Sequence, residues 1–355
     1  MKLFRGFDWS LMLVVFLLST ISLAVIFDIS RGDFKKQLGF VVVGFVLIFL
    51  VSFLDYRFLK NASFSLYIIM VVMLLAVLLF GSEVRGTRSW FGIGEFGLQP
   101  VELVKLIMIV VLARYLSRFS SEIHRVKHVF VSGVFVAIPS FLILLQPDLG
   151  SVMVLLGIWL VMLLVSGLRV KHLIVFLLIA LILFGVSWQW GLKDYQKDRF
   201  STFIDPYGDP LGQGYNVIQS VIAIGSGGLF GKGLGYGTQS QLNFLPEKHT
   251  DFIFAVVAEE LGLVGVFFLL SFYVFLFWRI YLIVQSARDN FSRFLAVGIL
   301  LMLILHVIIN VAMNLGVFPV VGIPLTFLSY GGSNIIVSFI ALGVLQNIRR
   351  NSIVW

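Results

Sequence analysis

The sequence predicts an all-α polytopic membrane protein with about ten transmembrane helices, and three features predict it. Apolar residues are 59% of the 355 and charged residues only 12%, where a soluble domain carries about 45–50% and about 25%. The mean hydropathy is +1.04. The apolar residues are also gathered into separate long runs, enough for roughly ten spans of about 20 residues each. This composition excludes a soluble globular enzyme and a disordered chain.

The first run, at about 11–27, follows Lys2 and Arg5 as a secretory leader would. No small-residue cleavage site follows it and further spans do, so it reads as an uncleaved first helix. The other runs lie at about 38–54, 66–80, 101–116, 129–145, 151–166, 171–188, 252–283, 294–318 and 333–348. Ten spans put both termini on one side. With the N-terminus inside, the cytoplasmic segments carry fifteen Lys and Arg, among them Arg57, Lys60, Arg114, Arg118, Arg279 and Arg350. The short outer loops carry five: Arg31, Lys35, Lys36, Arg85 and Arg88. That asymmetry places both termini in the cytoplasm. The formal charge of +8 is scattered between apolar runs, with no basic stripe to follow a nucleic acid backbone. With no cysteine, disulfides and thiolate metal sites are excluded.

One segment departs from membrane composition, the long extracytoplasmic loop at about 189–251 between the seventh and eighth spans. It opens on charges (Lys193, Asp194, Lys197, Asp198, Arg199), holds nine glycines between Gly212 and Gly237, and ends on Pro246-Glu247-Lys248-His249-Thr250-Asp251. Its stretch 216–224 fits a short helix on the outer membrane surface, with Gln219 and Ser220 on the wet side. No repeat and no separate soluble domain is visible, so residues 1–355 form one integral membrane domain.

Ionisable groups at membrane depth are functional candidates by default. Glu102 and Lys105 have i,i+3 spacing on the fourth span and are placed to pair. The pair has a bland reading, structural neutralisation, and a functional one, with Lys105 meeting an anionic headgroup. Asp251 opens the eighth helix, where either it or Thr250 suits a routine N-cap. Its outer-face position and polar company also suit a carboxylate tuned as a general base. Glu259 and Glu260 follow two turns on; one is expected buried and paired, the other marking entry into lipid. His249 has no second histidine at short ligand spacing, which argues against zinc. The run Gly225–Gly237 lacks the Gly-Lys-Ser/Thr ending of a nucleotide loop, leaving backbone approach to a pyrophosphate or folding over lipid as its uses. Arg85, Arg88 and Trp90 set cations beside an interfacial aromatic. The uncharged segment 319–332 reads as a re-entrant turn buried in protein.

Several of these stretches together resemble one family. They are Arg88-Ser89-Trp90-Phe91, Gln99-Pro100-Val101-Glu102-Leu103-Val104-Lys105, Gln146-Pro147-Asp148-Leu149-Gly150, the run from Asn243 to Phe254, Glu259-Glu260-Leu261-Gly262, and Pro319 through Ser333. The chain resembles the SEDS proteins (shape, elongation, division and sporulation) from about residue 85 to 350. The short N-terminus and the wording of 243–249 are nearer the elongation members (RodA) than the division members (FtsW). The resemblance implies a peptidoglycan glycosyltransferase in the bacterial cytoplasmic membrane that polymerises lipid II on the outer face. It also implies work with a class B penicillin-binding protein. Carried over by position, Asp251 matches the family's essential aspartate, Glu102 and Lys105 its fourth-span charged pair, and Trp90 its loop aromatic. Arg88 and Lys248 are the further expected contacts to substrate, with or without a divalent cation. A lipid II flippase and a non-catalytic scaffold for a transpeptidase are the competing readings. The flippase lacks a visible inverted repeat, and its polar cluster would sit at the surface and not at the midplane.

Overall fold

The computed structural model describes residues 6–84, 87–93, 96–120, 122–123, 125–169, 171, 178, 185, 202–210 and 212–353. Its helices are α1 (Trp9–Ile29), α2 (Arg31–Phe53), α3 (Tyr56–Phe80), α4 (Pro100–Arg118), α5 (Val126–Leu144) and α6 (Leu149–Val165). After a 3-10 turn at Pro206–Gly208 come α7 (Gln213–Ser226), α8 (Thr238–Gln241), α9 (Ile253–Ser286), α10 (Asn290–Asn314) and α11 (Gly332–Ile353). Six are long and apolar enough to cross a membrane: α1, α2, α3, α5, α9 and α10. Of the expected seventh span, 171–188, only residues 171, 178 and 185 are described, and the charged loop entry that follows it lies outside the described residues.

Helix α4 falls short on apolarity because it carries Glu102, Lys105, Arg114 and Arg118, yet it is buried on nearly every side. A helix enclosed all round is a core element. It packs against α3, α6 and α10, while α2 and α11 pair along their lengths. The connections sort into two ends. One end holds the α2–α3 and α9–α10 turns, the start of α1 and the end of α11. The other holds the starts of α4 and α11, the ends of α3 and α10, and Asp251. Arg57, Lys60, Arg114, Arg118, Arg279 and Arg350 all fall at the first end, as their charge bias predicts.

That first end is tied by Asp8. Its side chain caps α1 through Leu11 N at 3.0 Å and takes a two-pronged bond from Arg279 of α9, with Nη2–Oδ2 at 2.6 Å. Gln346 of α11 bonds both backbone groups of Asp8, at 2.9 and 3.0 Å. One buried residue thus joins three helices, α1 and α9 through its carboxylate and α11 through its backbone.

Two departures from the sequence expectation bear on the site. The α3–α4 loop is a three-stranded antiparallel sheet, β1 (Ser82–Val84), β2 (Thr87–Ile93) and β3 (Phe96–Leu98), in that order. Thr87, Trp90, Phe91 and Ile93 favour extended backbone. Gly97 makes room for the indole: a Cβ there would stand 2.8 Å from a ring carbon of Trp90. The surface helix expected at 216–224 exists as α7, but Ser220 is not on its wet side. Ser220 is buried and donates to the Asn314 carbonyl at 2.8 Å. The reason is that α7 packs on α9 and α10, so its hydroxyl caps a carbonyl there.

Asp8→Ala should destabilise the fold by about 3 kcal/mol, the low end for losing a buried ion-pair partner, because Arg279 keeps some exposure. Thermal unfolding in detergent reads this, and a variant as stable as the wild type would remove the tie between Asp8 and Arg279.

Candidate active site

At the second end a cavity of about 530 Å³ opens between the sheet, the start of α4, the 146–148 turn and the segments 249–251 and 320–334. Trp90 and Asp251 line it, as the sequence predicts, together with Lys36, Asp148, Tyr330 and Asn334. Asp251 is half-buried, and its carboxylate lies over Gly322, where a Cβ would come within 3.6 Å of Oδ2.

The backbone around Asp251 is clamped from two sides. Asn310 and Asn314 of α10 donate to its carbonyl at 2.9 and 3.0 Å. Ser329 donates to the Thr250 carbonyl at 2.6 Å, and the Tyr330 N–H to the His249 carbonyl at 2.7 Å. The 320–330 segment is therefore the buried re-entrant turn the sequence suggests. It holds Phe327 at φ 67°, a left-handed conformation that a buried aromatic adopts only when its surroundings enforce it.

Capping of α9 is not the work of Asp251 or Thr250. The N-cap is Phe252, with no side-chain cap bond, and the Ala255 N–H donates instead to Asn314 Oδ1 at 3.1 Å. A neighbouring helix thus supplies the acceptor that the sequence sought nearby.

Glu102 and Lys105 do pair, at 2.7 Å, but behind the cavity wall and without solvent exposure for Lys105. Glu102 Oε2 accepts from Asn334, which lines the cavity, at 2.9 Å. On the far side Lys105 Nζ lies 3.0 Å from His306 Nε2, and His306 Nδ1 lies 2.9 Å from Thr326 Oγ1. An ammonium has only protons to give, so His306 Nε2 must accept, which puts the ring proton on Nδ1 facing Thr326. Tyr273 donates to the Thr326 carbonyl at 2.6 Å and closes the chain. The charged pair reaches the cavity through Asn334 and the re-entrant turn through His306.

Lys248 points elsewhere. Its ammonium donates to the Ser240 carbonyl and to Asn243 Oδ1 at 2.8 Å, and burial pushes its pKa below the ordinary lysine range. Arg88 sits on β2, but its side chain lies outside the described residues. Glu259 is buried and paired with Lys232 at 2.9 Å. Glu260 does not mark lipid entry: it is as fully buried as Glu259. Their segment binds the glycine run. Lys232 and Gly233 N–H donate to the Glu259 and Glu260 carbonyls, and α9 breaks at Gly262, φ 65°, where a Cβ would meet the Gly231 nitrogen at 2.2 Å. These glycines serve close backbone packing. Among the described residues no group of three or more His, Cys, Asp or Glu can hold a metal ion.

The family model for the cell cycle proteins FtsW, RodA and SpoVE matches residues 5–353. The chain belongs to this SEDS family. Among its members, the peptidoglycan glycosyltransferase MrdB of Escherichia coli (strain K12) is 38% identical over 347 residues, 97% of this chain and 94% of that protein. The stage V sporulation protein E of Bacillus subtilis (strain 168) is 39% identical over 362 residues, covering 97% of each. A chain from a solved peptidoglycan synthase complex, described as coordinating polymerization and crosslinking, superposes with a TM-score of 0.85 at 34% identity, covering 98% of this chain and 99% of that one. The rod shape determining protein RodA of Thermus thermophilus gives 0.74 at 30% identity, covering 98% of both. The SEDS fold thus extends over the whole chain.

Sequence reasoning missed His306, Asn310, Asn314, Asn334 and Lys36. Four of the five are polar residues in otherwise apolar helices, a signal that was available without any motif. His306→Leu should cost about 2–3 kcal/mol by leaving a buried ammonium proton unmatched, and His306→Gln should restore most of it. Detergent thermal unfolding separates the two, and equal stability of Leu and Gln variants would remove the acceptor role.

Proposed function

We propose that this chain, a peptidoglycan glycosyltransferase by its family, polymerises lipid II on the outer face of the bacterial cytoplasmic membrane during cell elongation. Asp251 is the general base, and a class B penicillin-binding protein is the partner. The observation that carries this reading is the clamped Asp251: two asparagines hold its carbonyl and a serine that of Thr250 beside it, and Asn314 accepts at the start of α9.

The Asp251 carboxylate accepts the proton of the acceptor sugar's 4-hydroxyl as that oxygen attacks the anomeric carbon of the donor. The bond from that carbon to the pyrophosphate breaks, and undecaprenyl pyrophosphate leaves with the electron pair. An α-linked donor and a β-linked product require inversion, which one base accomplishes without a covalent enzyme intermediate, as in inverting glycosidases. A pyrophosphate leaves readily, so no general acid is needed.

Cations stabilise the departing charge. Lys36 lines the cavity and is added to Arg88 as a contact to the pyrophosphate. Lys105 acts from behind the wall, pairing with one oxygen of Glu102 while the other orients Asn334 toward the substrate. Trp90 packs against a sugar or the first isoprene unit. The geometry gives Lys248 a role in shaping the 240–248 loop. A divalent cation would find two cavity carboxylates, Asp148 and Asp251. Asp148 already accepts from Ser151 N and Oγ at 2.9 and 2.7 Å, so substrate oxygens and water would have to supply most of the coordination.

With lipid II and a partner whose transpeptidase is blocked, wild-type protein should form glycan polymer. Asp251→Asn should lose about 10²–10⁴-fold, the usual contribution of a general base, with unchanged unfolding temperature. Near-normal polymer from Asp251→Asn would overturn the base assignment. No polymer from wild type in an intact complex would return transport or scaffolding.

A further inference from the structure

At the end of the bundle opposite Asp251, a second cavity of about 400 Å³ lies between α3, α4 and α10. Lys60, Arg114 and Arg118 line it, facing Asp289 at the start of α10. Three cations against one carboxylate leave a charge of +2. That carboxylate is already engaged: Asp289 caps α10 through Ser292 N at 2.8 Å and accepts from the Tyr56 hydroxyl at 2.7 Å.

None of the three basic side chains has a carboxylate within 4.0 Å among the described residues. Arg114 commits one nitrogen, Nη1, to the Lys60 and Asn61 carbonyls and to Ser63 Oγ, which fixes the guanidinium in the cavity wall. Among the described residues its Nη2 and Nε make no hydrogen bond. Aromatic rings stand where counter-ions usually would: Lys60 Nζ is 5.9 Å from the Phe291 ring centre, and the Arg118 guanidinium carbon 5.6 Å from that of Phe119. Membrane orientation requires only that cations lie on this side. It does not require three to converge on one cavity without carboxylate partners.

The surroundings of the cavity are apolar on the membrane side. Lys60, Phe64, Ile68 and Val72 follow each other at four-residue spacing and share one face of α3. Phe64, Ile68 and Val72 are 67%, 48% and 56% exposed, and neighbouring α5 exposes Phe130, Val134 and Ile138 likewise. A hydrophilic anion would use the cavity alone. An amphiphile would use the cavity and the stripe together.

We propose that this cavity binds the phosphodiester headgroup of an anionic phospholipid, with the acyl chains laid along the exposed stripes of α3 and α5. Basic pockets between membrane helices recognise such headgroups on the cytoplasmic side, where anionic lipid is concentrated. The leaflet rests on the orientation proposed above; the site does not. It is separate from the glycan chemistry, and its test reads lipid binding and not polymer.

The test uses the full-length protein in micelles containing phosphatidylglycerol or phosphatidylcholine, with retained lipid measured by native mass spectrometry. Wild type should retain phosphatidylglycerol in preference to phosphatidylcholine, and millimolar inorganic phosphate should not displace it. The double variant Lys60→Gln/Arg118→Gln should bind phosphatidylglycerol about 30-fold more weakly, the product of two lost basic contacts. Arg57→Gln/Arg288→Gln, at the same end but outside the cavity, should bind as wild type does. Unfolding temperatures in lipid-free detergent identify a variant that has simply misfolded, in which case Lys60→Arg/Arg118→Lys, which keeps both charges, must retain the lipid. Equal retention by wild type and the cavity variant, or equal loss in the control variant, would overturn the proposal. Displacement by phosphate alone would make the cavity a soluble-anion site and overturn it as well.

Discussion

The position of Lys105 constrains the rest of this structure. A fully buried ammonium is tolerated at membrane depth only when its charge is neutralised and its protons are accepted. Glu102 supplies the charge and His306 the second acceptor. Satisfying those two partners recruits more: Asn334 for the second oxygen of Glu102, Thr326 for the far nitrogen of His306, and Tyr273 for the Thr326 carbonyl. Helices α4, α9, α10 and α11 and the re-entrant turn are thereby held in one register around a site that opens to the other side of Asn334. The pair is neither a plain structural salt bridge nor an exposed substrate clamp. Its contacts extend from Asn334 at the cavity wall to Thr326 in the turn that holds Thr250 and Asp251.

The same logic of backbone satisfaction explains the glycine-rich segment. The α9 helix is interrupted at Gly262, and an interrupted helix leaves carbonyls and N–H groups without intrahelical partners. The segment 228–233 fills them: Leu263 and Val264 N–H donate to the carbonyls of Gly228 and Leu229, and Glu259 and Glu260 carbonyls accept from Lys232 and Gly233. Side chains would hold the two backbones apart. Glu259 adds the Lys232 ion pair and accepts from the Gln239 and Ser240 N–H groups at 2.9 and 3.1 Å, fastening the loop just ahead of Asp251. The buried carboxylate of Glu260 lies beside this fastening. The segment 228–233 is thus built as part of the helix it covers.

The two ends of the bundle divide their work by charge. The Asp251 end gathers carboxylates, amides and an aromatic around a cavity that Lys36 of α2 also lines. The other end gathers guanidinium and ammonium groups around helix termini, with Asp8 and Asp289 used inside the protein to tie helices and cap them. Only the first arrangement has the polar groups needed to hold a sugar and remove its proton. The second has the cations and the neighbouring apolar surface that suit a charged lipid headgroup.

By itself the sequence determined the membrane class, the placement of the apolar runs, the charge difference between the two ends and the candidacy of Asp251, Glu102 and Lys105. These follow from local quantities: run length, i,i+3 spacing, and the cost of charge in hydrocarbon. The tertiary structure decided what each of these residues does. Asp251 and Thr250 were open to a capping role until Asn314, 59 positions beyond Ala255, was found in it. Ser220 was expected on the wet face of its helix, and packing against α10 buried it. The glycine run was open to approaching a pyrophosphate or folding over lipid until the break at Gly262 placed a second backbone against it. His306 and Asn334 meet the charged pair across 201 and 232 positions of chain, and no spacing rule spans such separations. Sequence patterns report on neighbours along one element. A buried charge is satisfied by whatever the fold brings within about 3 Å, and the choice of partner belongs to the packing of helices.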